Sequence, residues 1–140
     1  MVHPVGAAPH SLQKVNFDRR VRLEFQGSQL SSDAGLLVFR ELDEALGLCD
    51  LAKTSLSDDR TGKNRQHDLT GLFRQSVFSR LAGYEDVNDA KQLSMDPAMR
   101  QVVGGRAVEH GAACPTQMGR FETGTLVMPS NLESIERTMD

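Results

Sequence analysis

Apolar and polar residues alternate through Val21, Arg22, Leu23, Glu24, Phe25 and Gln26. A period of two predicts a half-buried strand that Gly27 ends. A short return strand through Gln29 and Leu30 would complete a hairpin, which needs a helical layer to lean on. The period then lengthens. Ser31, Ser32 and Asp33 carry short oxygens suited to an N-cap, and the helix they open is expected from Asp33 to Leu46. Gly35, Val38, Phe39, Leu42, Ala45 and Leu46 recur at spacings of three and four, a stripe expected to face the core. Arg40, Glu41, Asp43 and Glu44 fall on the other face, and Gly47 is placed to end the helix in a left-handed turn.

A short helix from Leu48 to Thr54 follows, and the nearly apolar-free stretch from Ser55 to Gln66 reads as an exposed, mobile loop. From His67 to Ala82 the apolar residues Leu69, Leu72, Phe73, Val77, Phe78 and Leu81 spread around more than half the circumference. A helix without a clean polar face is packed on several sides, so this one is expected at the centre of a bundle, ended by Gly83. Further helices are expected from Asp86–Asn88 to Leu93, and from Asp96, with Pro97 at N1, to Val103. Cys114-Pro115-Thr116 opens another through Glu122. Ser130-Asn131-Leu132-Glu133 has the S-x-x-E form of a capping box and starts a last helix with Leu132, Ile135 and Met139 inward. The expected fold class is mainly α, a small helical bundle with a short N-terminal β-hairpin. It divides into a disordered tail over 1–18, a helical domain over 19–125 and a final connecting segment over 126–140.

A chain of 140 residues with 39% hydrophobic content and a net charge of −3 suits one small globular domain rather than a globally basic nucleic-acid binder. The charge is uneven, however. Arg60, Lys63, Arg65, Arg74 and Arg80 face Asp68 alone, whereas Glu85, Asp86, Asp89 and Asp96 face only Lys91. Cys49 and Cys114 form no C-x-x-C pair, the N-terminus lacks the pattern of a signal peptide, and no apolar run approaches the ~20 residues of a membrane span. A reduced, cytoplasmic protein is the expectation.

Candidate chemistry is sparse. Ser57 stands where a P-loop ending in Gly62-Lys63 needs a glycine, and His3, His10, His67 and His110 have no metal-ligand spacing. Glu85, Asp86 and Asp89 form the densest acidic cluster. They could serve a divalent-metal nuclease, but helix capping accounts for Asp86 and Asn88 without a metal. For DNA, the candidates are Arg19, Arg20 and Arg22 around the first strand and Lys63 and Arg65 in the loop, residue types that contact phosphates. Thr116, Gln117 and Arg120 lie early in a helix, as residues entering a major groove do.

Three segments carry a resemblance. Leu30-Ser31-Ser32-Asp33-Ala34-Gly35-Leu36-Leu37 with Arg40-Glu41-Leu42-Asp43 is the first, and Leu81-Ala82-Gly83-Tyr84-Glu85-Asp86-Val87-Asn88-Asp89-Ala90, followed by Asp96-Pro97, is the second. Met118-Gly119-Arg120-Phe121-Glu122-Thr123 is the third. In order and spacing they resemble the DDE transposases of bacterial insertion sequences, the group-1 DDE domain family. The resemblance implies a full-length enzyme with a ribonuclease-H-like domain whose three carboxylates hold two Mg²⁺ ions. The first catalytic Asp of such proteins lies on a strand beyond the region matched here, so no catalytic residue and no cofactor is assigned to this chain. The uncapped last helix agrees with a truncated, catalytically inactive N-terminal region that binds transposon ends or takes part in assembly. Its expected partners are DNA and a second copy or the full-length transposase, with no membrane. The alternatives are a helical protein-interaction module without DNA affinity, or the nuclease on Glu85, Asp86 and Asp89.

Overall fold

The structure, a computed structural model, describes residues 13–23, 34–61 and 65–139. It is mainly helical, and none of the helices among the described residues is long and apolar enough to cross a membrane. Gln13–Lys14 (β1) pairs antiparallel with Arg22–Leu23 (β2), Gln13 opposite Leu23 and Lys14 opposite Arg22. The expected hairpin is not shown, because residues 24–33, including Phe25, Gln29 and Leu30, lie outside the described part. Where β2 does pair, its partner lies upstream. Val15 is buried, and the Asn16 backbone N–H and side-chain amide each donate to the Glu41 carboxylate at 2.7 Å.

Among the described residues eight α-helices follow: α1 (Leu36–Leu46), α2 (Leu48–Ser55), α3 (Leu69–Leu81), α4 (Ala90–Leu93), α5 (Pro97–Val103), α6 (Arg106–His110), α7 (Pro115–Arg120) and α8 (Pro129–Met139). Their ends obey local chemistry. Gly47 sits at φ 67°, the left-handed conformation that stops α1 and starts α2. Asp68 caps α3 by accepting from the Gly71 N–H at 2.8 Å, and a Cβ at Gly71 would lie 2.7 Å from that same carboxylate oxygen. Asp96 caps α5 with Pro97 behind it, as its sequence predicts. Gly104 and Gly105, at φ 76° and 55°, turn the chain from α5 into α6.

The central helix is α3, packed on α2 and α5. Phe78 joins Leu36, Leu93, Met99, Val102 and Val103 in one core cluster, while Leu72 joins Ala90, Ala113, Met118 and Phe121 in a second. Between them α3 buries polar groups that local pattern does not flag. Gln75, 1% exposed, donates to the Ala113 carbonyl at 2.7 Å and accepts from the Ala113 N–H at 2.8 Å.

Helix α1 lies the other way round from its amphipathic pattern. Leu36, Arg40 and Asp43 are its buried residues, and Val38, Phe39, Leu42 and Leu46 are 47–58% exposed. The supposedly solvated polar face is occupied inside. Asp43 accepts from the Cys49 N–H at 2.8 Å and lies 3.4 Å from Arg40 Nη1 and 3.6 Å from Arg74 Nε. Arg40 also pairs with Glu44 at 2.9 Å, and its guanidinium stacks 4.7 Å from the Phe17 ring centroid. Burial, with Asp43 beside it, pushes the Cys49 thiol up to about 12.

The stretch after α2 is likewise not free. Leu56 is buried, and Asn131, 1% exposed, accepts from the Ser57 N–H at 2.8 Å and donates to the carbonyls of Ser57 and Thr125. One amide therefore holds residues 56–58 against the start of α8. Helix α8 begins at Pro129 rather than on the expected capping box, and it packs on α2. Leu132, expected inward, is 44% exposed because Asn131 takes the buried position.

Candidate nucleic-acid interface

The basic residues that come together do so through the segment between α2 and α3. Arg60 turns back onto Asp58, with Nε and Nη2 each 2.7 Å from its carboxylate, while Nη1 donates to the His67 carbonyl at 3.0 Å. This pairing lowers the Asp58 carboxyl below its ordinary range. Arg65 Nη2 donates to the Arg60 carbonyl. The two arginines and His67 line two adjoining clefts.

The first cleft, about 420 Å³, is closed by α7 and the turn after it, with Gln117, Arg120, Phe121, Gly124 and Thr125 on its wall. That turn, Phe121–Thr125, is a π turn in which the Leu126 N–H reaches the Phe121 carbonyl at 2.8 Å. The second cleft, about 380 Å³, runs past Asp68 and Gly71 to Val103, Gly104, Gly105 and Arg106. Four arginines thus border the clefts: Arg60, Arg65, Arg106 and Arg120. Their opposing carboxylates are Asp58, Asp59 and Asp68. Four arginines against three carboxylates leave the lining with one net positive charge, and Asp58 is paired with Arg60 while Asp68 caps α3. His67 registers that field. Burial lowers its pKa first, the nearby Arg106 and Arg60 lower it further, and Asp68 opposes them. Arg106 and Arg120 are exposed and have no side-chain hydrogen bond or ion pair among the described residues.

Of the residues singled out from the sequence, Arg65, Gln117 and Arg120 share the first cleft. Gln117 is less available than expected, since its Oε1 accepts from the Cys114 N–H at 2.9 Å and closes the start of α7. Its Nε2 lies 3.4 Å from Gln66 Oε1. Thr116 is exposed at the second position of the same six-residue helix and borders neither cleft. Arg19 and Arg20 are exposed and also border neither, and Arg20 is clipped to Asp18 at 2.8 Å. Arg22 contributes backbone to β2, with its side chain outside the described part, and Lys63 lies outside the described residues. Sequence reading passed over Arg60, His67 and Arg106. The basic run from Arg60 was a usable signal for the first; nothing local marks Arg106, which reaches the site through the α5–α6 turn.

The acidic cluster has structural work. Asp86 accepts from the Asn88 N–H at 2.9 Å and caps a 3-10 turn, Val87–Asp89, that leads into α4. Among the described residues no three His, Cys, Asp or Glu side chains are grouped to hold a metal ion. Glu85, Asp86 and Asp89 are thus not grouped as the metal site of a nuclease would require.

The three segments quoted for the resemblance also sort by role. Arg40 and Asp43 form the buried network, Ala90 and Tyr84 pack in the core, and Met118 and Phe121 fill the second cluster. Glu122 accepts from Ser76 Oγ at 2.7 Å and pairs with Arg80 at 2.8 Å, contacts that lower its carboxyl pKa. Arg120 alone in that third segment combines exposure with a place on a cleft. A family model described as transposase DDE domain, group 1, matches residues 13–139. No curated protein and no solved structure matches the chain.

Proposed function

Because the chain belongs to the transposase DDE domain group 1 family, we propose that its part in transposition is to bind DNA, with the clefts around His67 as the phosphate-contacting surface. The observation that carries this reading is the convergence of Arg60, Arg65, Arg106 and Arg120 from three separate stretches of chain on one surface. A guanidinium offers a planar fork of donors that matches a phosphate, and Arg106 and Arg120 have theirs uncommitted among the described residues. With Gln117 spent on its helix start, the contacts are to the DNA backbone more than to base edges. Strand cleavage is not assigned to this chain's described residues, since the acidic cluster caps a turn.

Fluorescence anisotropy tests the reading, using a labelled duplex with the element's terminal inverted repeat and a scrambled duplex, each at low and moderate salt. Binding should weaken as salt rises, because each neutralised phosphate releases counterions. Arg106→Ala and Arg120→Ala should each weaken it about five- to tenfold and flatten the salt slope by about one. Folded wild-type protein that fails to bind either duplex at low salt would overturn the proposal.

A further inference from the structure

The first of the two clefts has a lining that phosphate contacts alone do not use. At its rim Arg60, Arg65 and Arg120 face one carboxylate, Asp59, and below them Leu72, Phe121 and Met128 form an apolar floor. Leu72 and Phe121 are 2% and 1% exposed because they belong to the core cluster behind the cleft. The floor is therefore fixed by packing and does not wait for an occupant to form it. One wall is the π turn, where Gly124 contributes no side chain and the Thr125 hydroxyl has no hydrogen-bond partner among the described residues.

An intact duplex satisfies only half of this chemistry. Its phosphates can reach the arginines, but paired bases are stacked on one another and show only their edges in the grooves. A cationic rim above an apolar floor is matched by a base that has left the stack, with its π-face free and its own phosphate attached. The volume of about 420 Å³ falls within the ~300–1,000 Å³ of pockets that enclose a small ligand. We propose that the first cleft takes one unpaired nucleotide, its base over Leu72, Phe121 and Met128 and its phosphate at the bordering arginines, an inference that rests on the DNA-binding reading above. The Thr125 hydroxyl offers a hydrogen bond to the sugar or a base edge. Arg106, in the adjoining cleft, is then placed for the phosphate of a neighbouring nucleotide. Burying a base face requires no particular base, so the preference is for an unpaired strand and not for a sequence.

Competition anisotropy on the wild-type protein tests this with a blunt duplex, the same duplex carrying a short overhang on either strand, and overhangs of equal length built from abasic nucleotides. An overhang on one strand or the other should bind about tenfold more tightly than the blunt duplex, and its abasic counterpart should lose most of that gain. Gly124→Leu fills the cleft from its wall, since a Cβ there meets no heavy atom within 4 Å, and it should abolish the gain. Circular dichroism checks that this variant remains folded. Equal affinity for blunt and overhanging duplexes would overturn the proposal and leave DNA binding in place. So would abasic overhangs that bind as tightly as intact ones, because phosphates would then account for the whole gain. A gain retained by folded Gly124→Leu would put the base outside this cleft and overturn the assignment. No binding to any of these DNAs would overturn both readings.

Discussion

Asn131 and Gln75 are buried amides that tie distant backbone together, and neither stands out in its local sequence. Asn131 serves Ser57 and Thr125, while Gln75 exchanges both hydrogen bonds with Ala113. Their energetic weight comes from what they would leave behind. Removing the Asn131 side chain leaves the carbonyl of buried Thr125 with only the longer 3.4 Å bond from the Met128 N–H and unties the segment at Ser57. Asn131→Ala should therefore cost about 2–3 kcal/mol, against less than about 0.5 kcal/mol for Leu132→Ala at the exposed neighbouring position. Urea denaturation of the two variants checks the ordering. Equal costs would mean that the amide is not the clamp between α8 and the segment after α2.

At the scale of elements, α1 shows how a helix can be identified correctly and oriented wrongly. Spacing located the helix and its Gly47 stop, because 3.6-residue periodicity and a left-handed glycine are local properties, but its start, expected at Asp33, falls at Leu36 after Gly35 with no side-chain cap. Which face turns inward depended on partners contributed by other elements. Arg74 from α3, the Cys49 N–H from α2 and the Phe17 ring supply the contacts that make burying Arg40 and Asp43 tolerable. The usual ranking of substitutions should accordingly invert in dilute solution. Asp43→Ala, which leaves Arg74 without its carboxylate and Arg40 with Glu44 alone, should cost about 3–5 kcal/mol. Leu46→Ala at an exposed position should cost under about 1 kcal/mol. Chemical denaturation curves of both proteins test the inversion, and a costlier Leu46→Ala would restore the amphipathic orientation.

For the whole molecule, His67 couples the cleft to pH. In the free protein its pKa is lowered from 6.5 by burial and by Arg106 and Arg60, with Asp68 pulling the other way. The neutral form is favoured on folding, so His67 contributes stability that is full above 6.5 and declines as pH falls through its folded value. A phosphate bound between these arginines reverses the balance, since an anion favours the protonated ring. The complex then holds more protons than the free chain, and DNA affinity should rise as pH falls from 8 toward 6. One titrating group limits the gain to about tenfold per pH unit. Anisotropy titrations across that range should show the rise for the wild type and its loss in His67→Gln. A pH-independent affinity in the wild type would place the DNA away from His67.

Much of this architecture is legible in local sequence. Periodicity marked α1, α2 and α3, and Asp96-Pro97 and Gly47 marked helix ends, because caps and turns are set by residues a few positions apart. The family, too, was readable from three segments in order. Local reading could not supply long-range geometry. Gln75 and Ala113 are 38 positions apart and Ser57 and Asn131 are 74 apart, so these contacts exist only once the chain is folded. The same holds for the candidate site: Arg65 and Arg120 were visible as basic residues, but their meeting with Arg60, His67 and Arg106 required the packing of α7 and the α5–α6 turn around the start of α3. Sequence by itself determined most of the helical elements, the ends at Gly47 and Asp96, and the family, while the starts of α1 and α8, the Asp68 cap of α3 and the whole of α6 escaped it. Tertiary structure decided which faces are buried and which charges meet, because burial and electrostatic neighbourhood belong to the assembled set of helices and not to any one of them.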